Sequence, residues 1–384
     1  MTDIEILLHL IRSAVLGEDT DLSAISLSNG QAENIIRIAS RHDLAHLIDL
    51  GIKKTSLPID KKHLKALEKV FLQAALKVTV IDFELEKICS IFEKSGIDNI
   101  PLKGAVIRDM YPEKWMRTSC DIDILVRDKD IKLASKALIE AGYEYIAEKY
   151  HDIGFKTPSG ITLELHFSIC EHEKLADKIL IKAFEYAVPI CDNSHRFVFS
   201  DDFMMFYTVV HTAHHFHSGG CGIRPITDLV ILKDRLTLTD EFYNLLKEAG
   251  LTKFYEGICA LSRVWFFDEK HTALTEQMED FIVEGGVYGT RKNHIVVEKS
   301  EAENRLLYFM SRIFPSLSEM RVRYRILYKA PFLLPVFWFV RIFKNGLFSK
   351  NRRRHIAEIG VVYSTPKSDQ RAVGDMLESL GIKR

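Results

Sequence analysis

The chain has 384 residues, 47% of them apolar and 27% charged, enough for two or three cores and unlike a disordered polymer. Its net charge of −1 conceals an asymmetry, because residues 321–354 hold ten Lys and Arg and no Asp or Glu. Residues 355–384 are neutral, so the first 320 carry −11, which argues against a general nucleic-acid binder and makes long nucleic acid a poor partner.

The six cysteines are scattered without a Cys-x-x-Cys pair, as expected of reduced thiols in a cytoplasmic protein rather than a disulfide framework or zinc ribbon. The start, MTDIEILLHLIRSAV, is acidic and amphipathic, unlike a signal peptide. No run reaches the ~18 apolar residues that a spanning helix needs.

Apolar residues recur at helical spacing over 3–16, 31–52 and 60–94, the last following a Pro58-Ile59-Asp60 start signal. From residue 98 the period changes to two. Short alternating or β-branched runs at 99–104, 121–126, 143–147, 152–157 and 161–167 predict about five strands. Residues 128–142 predict a helix stopped by Gly142. Helical patterning returns over 171–325, and a short amphipathic helix is expected near 368–380. The expected division is an N-terminal helical region 1–96, an α/β core 97–170, a helical domain 171–325, and an apolar and basic segment with a tail, 326–384.

The chemistry concentrates in LKGAVIRDMYPEKWMRTSCDIDILV, residues 102–126. Residues two apart in a strand share a face, so Asp121 and Asp123 point the same way. Like charges so placed repel, and a hard divalent cation such as Mg²⁺ removes the conflict. Glu164 and His166 share a face of the later run ITLELHF. If that strand lies beside 121–126, three carboxylates converge as a two-metal site for phosphoryl or nucleotidyl transfer would require. Lys103-Gly104, opening a helix, together with Arg117 and Ser119 would then meet the phosphates. The alternative is a pair of solvated acids at an exposed strand end, with Lys103 on the surface and Cys120 as packing.

These residues, in this order, resemble the polymerase-β-like nucleotidyltransferase superfamily, and most closely its branch of uncharacterised bacterial nucleotidyltransferases found near polysaccharide-synthesis genes. The motifs that carry the resemblance span about residues 100–170. The resemblance implies an α+β fold: a small mixed β-sheet core flanked by N- and C-terminal helical regions. It implies Asp121, Asp123 and Glu164 as metal ligands and Gly104 as the glycine of the phosphate-facing turn. It further implies an ATP- or other NTP-dependent transfer of NMP, with Mg²⁺, to a sugar, metabolite or protein acceptor. Ala105 stands where the broader superfamily has Ser or Gly, and Glu164 where it often has Asp.

Two later stretches stand out. His211, His214 and His215 at i, i+3 and i+4 share a helical face, with His217 and Cys221 following. They are open to three readings: a zinc site, a wall of the substrate cleft alongside His166, or packing. Arg224 and Asp228, at i, i+4, are expected to pair. Residues 328–354 are apolar and aromatic and end in Arg352–Arg354, which fits a peripheral membrane contact or a packed helix with a basic tail.

Overall fold

The computed structural model describes residues 1–149, 151–170, 175–287, 289–301, 314–317, 320, 324, 326–347 and 367–383. Helices α1 (Asp3–Leu16), α2 (Asn29–Arg41) and α3 (Ala45–Thr55) come first. Thr2 caps α1 by accepting from the Glu5 N–H, while the Glu5 side chain accepts from the Thr2 N–H. The apolar stretch 31–52 is two helices, because Asp43 takes a left-handed φ of 55° and breaks the run. Asp60 caps the 34-residue α4 (Lys61–Lys94).

A five-stranded mixed sheet follows: β1 (Asn99–Pro101), β2 (Asp121–Val126), β3 (Glu144–Glu148), β4 (Asp152–Lys156) and β5 (Thr162–His166). The strand order is β1-β2-β5-β4-β3, with β2 and β5 parallel and the other pairs antiparallel. One-turn helix α5 (Gly104–Ile107) lies between β1 and β2, and α6 (Ile131–Glu140) between β2 and β3. The alternation of Asp-Ile-Asp-Ile-Leu-Val has a direct structural reason. Ile122, Ile124 and Val126 are buried in one core with Leu163 and Leu165 of β5, Ile81, Leu85, Ile88 and Phe92 of α4, and Ala134 and Leu138 of α6. Each fully buried Ile or Leu contributes about 1.5–3 kcal/mol. The intervening residues therefore face the other way.

That other face meets a helical body. After α7 (Ala176–Leu180), residues 187–199 form a hairpin of two three-residue strands, β6 (Ala187–Pro189) and β7 (Phe197–Phe199), inside the stretch expected to be helical. Then come α8 (Asp201–His217), α9 (Arg224–Arg235), α10 (Asp240–Glu248), α11 (Thr252–Phe267), α12 (Ala273–Gly285) and α13 (Arg291–Glu301). Residues of α1–α3 and α8–α12 share a second core, joined by Leu125 of β2 and by Met376, Leu377 and Leu380 at the end of helix Lys367–Ser379.

Among the described residues no helix is long and apolar enough to cross a membrane. In the apolar C-terminal stretch, helix Leu334–Leu347 is described, and Phe332 and Phe339 are exposed. Arg352–Arg354 lie outside the described residues.

Candidate active site

A cleft of about 350 Å³ lies between the acidic face of the sheet and α8 and α9. Its walls include Lys103, Gly104, Arg117, Ser119, Asp121, Asp123, Glu164, His166, His211, His214 and His215, whereas His217 is not among them. The strand register brings the acids together. Parallel pairing sets Asp123 opposite Glu164, and antiparallel pairing sets Asp152 opposite His166.

His166 Nε2 lies 2.9 Å from Asp123 Oδ1 and 3.8 Å from Glu164 Oε2. Potential ligand atoms of Asp123, Glu164 and His166 all fall within 4.8 Å of one another. Asp121 stands on the same face but outside that set. Its carboxyl is pushed up by burial, then by the charges of Asp123 and Glu164. Burial pushes Asp123 up as well, but Lys103, His166 and His211 together outweigh it and hold Asp123 below the usual carboxylate range. The crowded oxygen donors and the conflict at Asp121 fit a divalent cation. In this structure part of the opposing charge comes from Lys149, whose Nζ lies 2.5 Å from Glu164 Oε1.

Lys103 sits in a turn in which Ala105 N–H donates to the Leu102 carbonyl at 3.2 Å, and Leu102 N–H donates to Asp123 O at 2.9 Å. Its φ of 43° with ψ of −113° is a region that suits glycine, a strain of about 1–3 kcal/mol for a lysine. The ammonium lies 5.9 Å from the centre of the Tyr207 ring on α8. Gly104 is explained by its neighbours: a Cβ there would lie 2.7 Å from Arg117 Nη1 and 2.9 Å from Ser119 Cβ.

Arg117 and Ser119 line the cleft, yet protein groups engage their donors. Arg117 forks onto Asp228, with Nε–Oδ1 at 3.2 Å and Nη2–Oδ2 at 3.0 Å. Tyr111 donates to the same Asp228 at 2.7 Å. The Ser119 hydroxyl accepts from buried Arg108 at 2.7 Å and donates to the Asp121 carbonyl at 3.1 Å. Arg108 also donates to the Gly104 carbonyl and to Asp82.

Asp228 thus pairs with Arg117, in place of the expected Arg224. Arg224 instead bonds Asp43 at 2.7 Å, and Asp43 accepts from Thr118 at 2.8 Å. Helix spacing puts Arg224 and Asp228 on one face, but the Arg117 loop offers Asp228 a bidentate partner.

His211, His214 and His215 of α8 line the cleft, and the charge of His211 bears on Asp123. His211 Nε2 and His215 Nε2 lie 3.0 Å apart. Among the described residues these histidines join no set of three ligand atoms within 4.8 Å. The buried Cys221 thiol is pushed up to about 12 by burial.

Lys149, His151 and Asp152 were missed in the sequence. They lie at and beside the β3–β4 turn, and only the register of β4 on β5 brings them to His166. Asp228 and Arg108 were missed as braces, since their partners are more than 100 and 11 residues away, respectively.

Residues 28–267 match the family described as uncharacterised nucleotidyltransferase. No curated protein matches the chain. Among solved structures, an antigenic nucleotidyltransferase-like protein from Paracoccidioides brasiliensis aligns at 14% identity and a TM-score of 0.29, covering 44% of this chain and 85% of that one. The family match runs from α2 through α11 and takes in the cleft residues described above, so the chain belongs to this family of nucleotidyltransferases and is a transferase.

Proposed function

We propose that the protein transfers NMP from an NTP to a hydroxyl or phosphate acceptor, in a Mg²⁺-dependent reaction that releases pyrophosphate. The observation that carries this reading is the register of β2 against β5, which sets Asp121, Asp123 and Glu164 on one face of a cleft whose wall includes Lys103. Asp121, Asp123 and Glu164 would hold the metal. When bound, Mg²⁺ neutralises phosphate charge and lowers the pKa of the attacking group.

The protein's own groups would do the rest. Lys103, held in its strained turn, offers an ammonium to the triphosphate. Gly104, Arg117 and Ser119 keep that turn in place, and Arg117 and Ser119, which line the cleft, would meet the outer phosphates by exchanging partners. His166 fixes the Asp123 carboxylate. Glu164, once Lys149 moves off it, accepts the acceptor's proton. His211, His214 and His215 form the acceptor-side wall.

The acidic charge of the first 320 residues disfavours long nucleic acid and leaves a sugar, a metabolite or a protein side chain. A sugar acceptor would suit a role in polysaccharide synthesis in the cytoplasm, and segment 328–354 would make any peripheral membrane contact. A second reading, nucleotide or partner binding without turnover, is favoured by the Lys149 ammonium on Glu164.

Thermal unfolding with each NTP, with and without Mg²⁺, tests the proposal on the wild type and on Asp121→Asn/Asp123→Asn. An NTP at ~100 times its Kd should add about 2.7 kcal/mol, only with Mg²⁺ and only in the wild type. An equal response from the double variant, or none with any NTP, overturns it. Stabilisation without pyrophosphate release across a panel of acceptors selects the second reading.

A further inference from the structure

We infer a second cation site, formed by His151, Asp152 and His166, that takes a borderline divalent ion such as Zn²⁺. One ligand atom from each of the three residues lies within 4.8 Å of the other two. The inference rests on this geometry and not on the transfer reaction.

Asp152 is fully buried, at 0% exposure, on β4, an interior strand between β5 and β3. Neither of its carboxylate oxygens has a hydrogen bond among the described residues. Among the described residues, the nitrogens within ion-pair distance of it are His151 Nε2 at 3.3 Å from Oδ2 and Lys149 Nζ at 3.5 Å from Oδ1. The Lys149 ammonium is drawn to Glu164 instead, at 2.5 Å. A buried carboxylate so weakly compensated is costly unless a cation joins it.

His166 supplies an independent observation. Its Nε2 faces Asp123 Oδ1 at 2.9 Å. An ionised carboxylate only accepts hydrogen bonds, so Nε2 carries the proton. Nδ1 is then the ring nitrogen left to meet a metal. That atom is buried and has no hydrogen bond among the described residues. The His151 and His166 rings are nearly parallel, 7° apart in tilt, with centres separated by 5.6 Å.

Two imidazoles and one carboxylate select Zn²⁺ or a similar ion over Mg²⁺, which prefers oxygen ligands and retained waters. A metal-binding histidine that donates its other N–H to a carboxylate is the usual arrangement around zinc. Here that carboxylate is Asp123. The imidazole of His166 would thus join this site to the acids of the cleft and fix how Asp123 points.

The test uses the full chain, stripped with chelator and then titrated with ZnCl₂ in excess Mg²⁺ so that hard-ion sites are filled. Retained zinc is counted by elemental analysis after gel filtration. Cobalt substitution reports nitrogen and oxygen ligation in the visible spectrum. One equivalent is expected in the wild type, in Asp121→Asn and in His211→Gln. Asp152→Asn and His151→Gln should each bind about 10-fold or more weakly. His151 is partly exposed, so His151→Gln carries the test if the buried Asp152 variant does not fold. Three results overturn the inference: no zinc retained, zinc retained equally by the His151 variant, or zinc lost from His211→Gln. Each leaves the Mg²⁺-dependent NTP response at Asp121 and Asp123 untouched, so the two proposals fail separately.

Discussion

At the residue scale, His42 shows how a buried neutral imidazole ties distant segments together. Its Nδ1 accepts from the Ile223 N–H at 3.2 Å and its Nε2 donates to the Val283 carbonyl at 3.2 Å. Protonation would remove the acceptor that Ile223 needs. Burial lowers the ring's pKa from 6.5 to about 4; the hydrogen bond to the Val283 carbonyl opposes it in part, and the charge of Arg41 adds a smaller lowering. The unfolded chain therefore takes up this proton first. Stability is complete above pH 6.5 and falls as the pH drops through 6.5 toward 4, with a loss of about 3 kcal/mol from this residue. Urea midpoints at pH 7 and pH 4.5 would show it. His42→Gln should be less stable at pH 7 and should lose less than the wild type on acidification. An equal acid loss in both proteins would remove His42 as the cause.

At the scale of elements, α1 and α3 cross with unusually close backbones. A Cβ on Gly51 would lie 2.3 Å from the Leu10 carbonyl oxygen and 2.9 Å from Leu10 Cα. Both are backbone atoms, so the helices must part for any side chain to fit. Gly51→Ala gains about 1 kcal/mol of helix propensity, yet overpacking of this kind costs about 1–3 kcal/mol or more. The expected result is a Tm lower by several degrees with NTP affinity unchanged, since Gly51 is outside the cleft wall. A raised Tm would show that the crossing can relax. Elements of this kind also show what a sequence discloses. The strands of the sheet were legible because Asp-Ile-Asp-Ile and Leu-Glu-Leu-His alternate between an apolar core and a polar cleft. Asp121, Asp123 and Glu164 could be found for the same reason. The β6–β7 hairpin was not, because three-residue strands containing Pro189 show no period. The break at Asp43 was hidden by apolar spacing that continues across it. The Asp152–His166 pairing depends on register across an antiparallel pair, which no local pattern encodes.

At the scale of the whole molecule, the cleft exists because two cores meet. One lies beneath the sheet with α4 and α6, and the other joins α1–α3 to α8–α12. The acidic face of the sheet looks across to α8 and α9, and polar clamps hold the two sides together. Thr118 and Arg224 meet on Asp43, while Arg117 and Tyr111 meet on Asp228. The Asp228 clamp is the deeper, with both charged side chains buried. Removing one partner of such a pair leaves the other charge buried and uncompensated, at a cost of about 3–5 kcal/mol. Asp228→Asn keeps the shape and removes the charge. It should lower stability by about 3 kcal/mol in urea unfolding. Gly104 packs against Arg117 Nη1, so a displaced Arg117 loosens the turn that carries Lys103. NTP should therefore bind more weakly as well, in a variant that still folds and whose Asp121 and Asp123 are intact. Stability lost with NTP affinity unchanged would make the clamp purely structural. Loss of both would show that the helical body sets the geometry of the phosphate side of the cleft.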